Sequence, residues 1–339
     1  MNASSNHVLW SGIVLFTSYH AMIVGCSSSE RQEVVIYVSV DRKDAEPILK
    51  EFETNTGIQV RALYDSESAK TTGLVTRILA EQEQPRCDVF WNNEHVQTML
   101  LAQRGLCAKS PPDFSAHVDA AFKSPDGLWA SVATRSRVII YNTDVLNYAN
   151  APKTLQELAG PQWNGRCAIA NPQFGTTRTH IAFLSACNGQ KWVETFLESL
   201  LANNVQIVNG NAAVKNLVAS AKPRQSLVCV GVTDTDDVYA GIAAGEPVQM
   251  IIPDEEDGGT LVIPSTVCIL KNAPHPIEAR KLFVYLLSDD TQMQLVGSNP
   301  GYQPLGQSKP RGSAYPTGTE ILERLLPSSR WTRDNFHSK

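Results

Sequence analysis

The sequence predicts an α/β protein built on mainly parallel β-sheet, and three observations lead there. Short β-branched runs alternate with amphipathic helical runs along most of the chain. The strand runs are continuously apolar, as in residues 34–40 (VVIYVSV), which is the pattern of strands covered on both faces. Glycine closes helical runs, as at Gly57 and Gly105.

Taken in order, the strand at 34–40 leads into a helix at 44–56 with Ile48, Leu49 and Phe52 on one face. A strand at 58–63 precedes a helix at 72–83, whose apolar stripe is Leu74, Val75, Ile78 and Leu79. A strand at 88–91 precedes a helix at 95–104. Beyond residue 138 the grammar repeats, with strands at 138–142, 166–170, 205–208, 227–232, 248–252 and 261–270. Helices are predicted there at 155–159, 178–187, 191–203, 212–221, 236–244, 276–287 and 290–296. The tail after Gly306 is rich in Ser, Pro, Gly and Lys and carries one short helical stretch at 319–325. No internal repeat is present.

With 339 residues, 42% of them hydrophobic, the chain can bury a core without needing cross-links. A net charge of −5 excludes a general nucleic-acid surface, which needs a basic excess. No GxSxG, HExxH or Walker pattern occurs, and the seven histidines are scattered without partner spacing. The chain is therefore not expected to be an enzyme. No Cys-x-x-Cys or Cys/His metal spacing occurs either.

The N-terminus has an export layout. Residues 8–24 are mainly apolar and end at small residues, too short and too interrupted for a membrane span. Ile23-Val24-Gly25-Cys26 resembles a bacterial lipobox. That resemblance implies a signal peptide over 1–25, lipidation of Cys26 and a serine-rich tether over 26–33. Six further cysteines agree with an oxidising compartment. Cys87 opens a strand and Cys107 follows the next helix; Cys167 and Cys187 repeat that arrangement. A strand start and the following helix end share one sheet edge, so Cys87–Cys107 and Cys167–Cys187 are expected pairs, leaving Cys229–Cys268.

The segment VVIYVSVDRKDAEPILKEFETNTGIQV resembles the opening strand, helix and strand of type II periplasmic solute-binding proteins. CDVFWNNEHVQTMLLAQRGL resembles the third strand and helix of the ferric-iron/phosphonate-binding branch, solute-binding family 1. RSRVIIYNT, AIANPQFGTTRTH and VGVTDTDDVYAGIAAGEPVQMIIPD follow in that branch's order, so the resemblance covers about residues 34 to 300. It implies a two-lobed type II fold, with two mixed, mainly parallel sheets joined by two hinge strands near 134–138 and 260–266. One lobe would hold 34–135 plus 265–339, the other 136–264. The implied function is a substrate-binding lipoprotein of an ABC importer, periplasmic or extracytoplasmic and held to the membrane through Cys26. It would act as a monomer, deliver its ligand to a permease and have no nucleic-acid partner. A sensor that hands ligand to a membrane receptor would use the same capture physics.

Ligands of open parallel sheets sit beyond the carboxyl ends of the strands. That rule nominates Ser39, Asp41, Ser66, Lys70, Thr71, Thr72, Asn92, Arg137, Gly175, Thr176, Thr177 and Asp234. Gly175-Thr176-Thr177 opens a helix whose free N–H groups attract an oxyanion. Lys70-Thr71-Thr72 offers the same on the other lobe, and Arg137 is a candidate bidentate clamp. Trp91 is the candidate for stacking on a ligand. No resident cofactor is expected. The preferred ligand is a small anionic or zwitterionic solute, a phosphonate or a phosphorylated compound. Fe(III) with a synergistic anion is the alternative. Ferric-binding relatives place adjacent tyrosines where this chain has Thr233-Asp234-Thr235-Asp236-Asp237, so iron here would rely on carboxylates. The acidic loop 254–259 is expected to be a solvated hinge loop rather than a calcium site.

Overall fold

The computed structural model describes residues 1, 32–65, 72–111, 118, 120–225, 227–253, 259–305, 320–321, 323–324 and 332. The expectations at Cys26, Ser66, Lys70, Thr71, the signal peptide, most of the tether and residues 254–258 fall outside them, as does the side chain of Thr72.

The first half of the fold runs β1 (Glu33–Val38), α1 (Arg42–Thr56), β2 (Gln59–Tyr64), α2 (Thr72–Ala80), β3 (Val89–Asn92) and α3 (His95–Gln103). A long strand follows, β4 (Ala130–Asn142), then α4 (Leu155–Leu158), β5 (Cys167–Ala170), α5 (Gly175–Asn188), α6 (Gln190–Ala202) and β6 (Gln206–Val208). The chain continues through α7 (Asn211–Ala219), β7 (Val230–Asp234), α8 (Thr235–Ala243), β8 (Val248–Ile251), β9 (Val262–Ile269), α9 (Pro276–Leu286) and α10 (Asp289–Ser298).

The strands lie in the order β2-β1-β3-β9-β4-β7-β5-β6, with β8 added on β4. The parallel pairs are β1/β2, β1/β3, β5/β6 and β5/β7, and helices lie between the paired strands in the chain. Every antiparallel pair involves β4 or β9. β4 changes partner in mid-strand: Ala130 to Ser136 pair with β9, and Arg137 to Asn142 pair with β7 and β8. The result is the predicted mixed α/β architecture. Apolar clusters cover both faces of each half. Val34, Ile36, Ile48, Phe52 and Phe283 lie on one face of the β1–β3 region, and Tyr37, Ile78, Phe90 and Leu101 on the other. Ile169, Phe183 and Leu197 flank β5 and β7 on one side, and Val138, Val214 and Val238 on the other.

The periodicity predicted only 138–142 as strand, yet β4 begins at Ala130. Its first part reads ASVATRSR, which looks like polar loop. Arg135 and Arg137 are nonetheless 2% and 1% exposed, and ion pairs formed across the sheet make that burial tolerable. The helix predicted from residue 178 starts at Gly175, whose φ of 53° lets the chain turn from the short loop after β5 into the helix.

All six described cysteines stand as free thiols in this structure. Cys107 pairs by its backbone with Leu270, beside β9, and Cys229 lies in the core cluster that holds Cys167. β9 inserts next to β3, which brings Leu270 opposite Cys107.

Candidate functional site

The ends of β3, β5, β6 and β7 and the middle of β4 converge on one pocket. Its wall includes Asn93, Arg135, Asn171, Gly175, Thr176, Thr177, Asn211, Asp234, Asp236 and Asp237. No tyrosine or histidine is among the described residues lining it.

Three helices start at this pocket. The N-caps of α5, α7 and α8 are Phe174, Gly210 and Asp234, and none makes a side-chain capping bond. Arg178 N–H makes the first α5 ladder bond, to Phe174 C=O at 3.1 Å, so the amides of Gly175, Thr176 and Thr177 precede the ladder. In α7, Val214 N–H bonds Gly210 C=O at 3.3 Å, leaving Asn211 to Ala213 ahead of it. Neither helix has an acidic residue in its first turn. Both therefore present the positive end of the helix dipole to an anion. α8 differs: Asp236 and Asp237 occupy its first turn. The carboxylates of Asp234, Asp236 and Asp237 lie within 4.8 Å of one another. One wall thus suits an oxyanion and the adjacent one a cation.

A buried polar lattice holds these groups in place. Arg137 donates to Asp234 Oδ1 at 2.7 Å, to Asn211 Oδ1 at 3.0 Å and to Thr176 Oγ1 at 3.3 Å. Thr176 and Asn211 donate in turn to Asp234 Oδ2 at 2.8 and 2.9 Å. Burial pushes the Asp234 carboxyl up, but Arg137 and then Arg135 outweigh it and hold it below the usual carboxylate range. Arg135 donates to Asp236 Oδ2 at 2.8 Å and to Asn93 C=O at 2.9 Å. Burial pulls its guanidinium down, and Asp236 and Asp234 more than restore it. Thr179 of α5 donates to Glu94 Oε2 at 3.0 Å, which ties α5 to the start of α3.

The structure sorts the nominated residues. Gly175, Thr176, Thr177 and Asp234 line the pocket. Arg137 does not: it lies beneath the wall, with both terminal nitrogens engaged by Asp234, Asn211 and the two threonines, which makes it a positioning residue rather than a clamp. Ser39 and Asn92 are pinned to each other, Ser39 Oγ donating to Asn92 Oδ1 at 2.9 Å and accepting from Asn93 N–H at 2.7 Å. They set the β3 turn from below, and it is Asn93 that faces the pocket. Asp41 stands at the N-cap of α1, outside the pocket wall. Trp91 is fully buried and donates to Ser265 Oγ at 3.2 Å, so it cannot stack on a ligand. Asn171, Asn209, Gly210 and Asn211 were not nominated. Three of them follow β6, and the strand-end rule would have found them had it been applied to that short, exposed strand.

Near the same wall, burial raises the Asp44 carboxyl of α1 to about 6. A carboxyl raised from its ordinary value favours the folded state when protonated. Its stabilising contribution is complete below about pH 4 and is lost as pH rises through about 6. Asp44→Asn should remove this loss. The gap in urea midpoint between variant and parent should widen in the variant's favour from pH 4 to 7, and a constant gap would refute the assignment.

Comparison with known proteins identifies the chain's family and relatives. A family model described as "Bacterial extracellular solute-binding protein" matches residues 88–315. The chain is 25% identical to iron uptake protein A1 of Synechocystis sp. over 309 residues, 88% of this chain and 84% of that one. It is 23% identical to the Fe(3+)-binding periplasmic protein of Serratia marcescens, covering 80% and 79%. A putative 2-aminoethylphosphonate-binding periplasmic protein of Salmonella typhi is 24% identical, covering 80% and 77%. Iron-bound HitA from Pseudomonas aeruginosa superposes with a TM-score of 0.77 at 24% identity, over 89% of this chain and 99% of that one, and shows the two-lobed fold.

Proposed function

The chain belongs to the bacterial extracellular solute-binding proteins, a family of binding proteins and not of enzymes, and from that premise we propose how it loads its ligand. As the substrate-binding protein of an ABC importer, it captures an oxyanion together with a positive centre in the cleft and delivers them to a permease. The observation that carries this reading is the pairing of two uncapped, acid-free helix starts, α5 and α7, with the Asp236 and Asp237 carboxylates across one pocket.

The names of most of the relatives reported above support ferric iron as the positive centre, with the oxyanion as its companion ligand. Oxygen donors suit a hard cation. Asp234 already satisfies its oxygens within the protein, so Asp236 and Asp237 would carry the metal. A second reading rests on one specific observation: no phenolate is available among the described lining residues. In it, the ammonium of an aminophosphonate occupies the same acidic wall and its phosphonate the helix starts. In both readings residues 34–135 plus 265–339 form one lobe and 136–264 the other. Periplasmic relatives support an extracytoplasmic location, and lipidation of Cys26 would hold the protein at the membrane. Among the described residues, no helix is long and apolar enough to cross a membrane.

Titration calorimetry of the mature chain with Fe(III) plus phosphate and, separately, with 2-aminoethylphosphonate tests this. One of the two should bind. Thr176→Ala should weaken that binding by about 1–3 kcal/mol, and Asp237→Asn should weaken it through the positive centre. No heat with either ligand, or equal affinity in both variants, overturns the reading.

A further inference from the structure

Cys107 and Cys268 are placed to become a structural cross-link. Cys107 forms an isolated antiparallel bridge with Leu270, immediately after β9. Cys268 lies two residues earlier on that strand, so its side chain leaves the same face as that of Leu270. Both cysteines belong to one apolar cluster, and the Cys107 thiol is the neighbour that most perturbs that of Cys268. Cys87 is in the same cluster but is engaged elsewhere, its thiol donating to Val89 C=O at 3.0 Å. The three thiols do not form a metal site. Among the described residues, the one group close enough to hold an ion is Asp234, Asp236 and Asp237.

We propose that Cys107 and Cys268 are joined by a disulfide as the chain folds in the presence of a disulfide oxidant outside the cytoplasm. Cys107, the less buried of the two, attacks first as thiolate, forming a mixed disulfide with the oxidant and releasing one of its sulfurs as thiol. Cys268 thiolate then attacks Cys107 Sγ and expels the second. Two protein thiols and one oxidant disulfide become one protein disulfide and two oxidant thiols, with no net change in protons or electrons.

The neighbouring Cys107 thiol, and then burial, raise the Cys268 thiol well above its ordinary value, which slows exchange once the cluster has closed. The bond therefore forms before packing is complete and is shielded afterwards. It ties the segment leaving α3 to β9 and removes denatured-state freedom across the long stretch between them. The inference does not depend on which ligand the cleft takes.

The test is to refold the reduced full chain with glutathione disulfide, alkylate the remaining thiols, digest without reductant and map the peptides. A peptide pair linking Cys107 to Cys268, with Cys87 and Cys187 alkylated, is expected. Cys107→Ser should abolish the link and Cys87→Ser should keep it. A reductant should lower the melting temperature of the parent and leave that of Cys107→Ser unchanged. A Cys87–Cys107 link, or alkylation of all six thiols, overturns the proposal, and the parent digest alone decides this if a variant does not fold.

Discussion

Arg137→Ala is expected to destabilise the protein by about 3–5 kcal/mol, because it leaves the Asp234 carboxylate buried without its closest cation. Asp234 is 1% exposed, and its remaining guanidinium neighbour, Arg135, stands 3.5 Å away instead of 2.7 Å. Asn211, Thr176 and Thr177 would each lose a donor, so the starts of α5 and α7 would loosen together. Urea unfolding monitored by circular dichroism measures the loss. A paired variant, Arg137→Met with Asp234→Leu, should recover much of the stability, since removing both charges removes the burial cost. It should not recover ligand binding, because the lattice behind the helix starts is gone. Full stability in Arg137→Ala alone would mean that the lattice is ornamental.

The second large effect is expected at Gly301. An added Cβ there would stand 2.3 Å from Asp236 Cα, 2.4 Å from Asp236 N and 2.6 Å from Thr235 C. These are backbone atoms and cannot rotate away. The segment after α10 rests on the start of α8 through Thr235 Oγ1 donating to Gly301 C=O at 2.7 Å and Asn299 Nδ2 donating to Asp236 C=O at 3.0 Å. Gln303 then pairs with Thr134 of β4. Gly301→Ala should cost about 1–3 kcal/mol through overpacking. It should also weaken ligand capture by shifting Asp236, which Arg135 holds at the pocket wall. Gly297→Ala is the control: nothing lies within 4 Å of the new atom, and its helical site in α10 should gain stability slightly. Equal melting temperatures for the two variants would refute the close-packing argument.

Much of the fold was legible because its strands are apolar runs separated by amphipathic helices, and local pattern records that directly. The pocket's α5 and α8 walls were legible for a related reason: residues at strand ends fall where a parallel sheet binds ligands, and Gly175-Thr176-Thr177 and Asp234 do. Arg137 was read as a ligand clamp because a charge at a strand crossing suits an anion, and local pattern does not reveal a buried partner. The burial of Arg135 and Arg137 depends on Asp236 and Asp234, about a hundred residues further along the chain.

By itself, then, the amino-acid order determined the α/β class, most element positions, the family resemblance and the helix starts that suit an oxyanion. These are properties of neighbours along the chain, set by side-chain period and turn chemistry. Only the tertiary structure decided that Arg137 supports the wall instead of touching the ligand, that Asn93 and Asn211 face the pocket, and that Cys87, Cys107 and Cys268 share one cluster. Each of these is a contact between distant segments, created when β9 enters beside β3 and β4 turns from one set of partners to another.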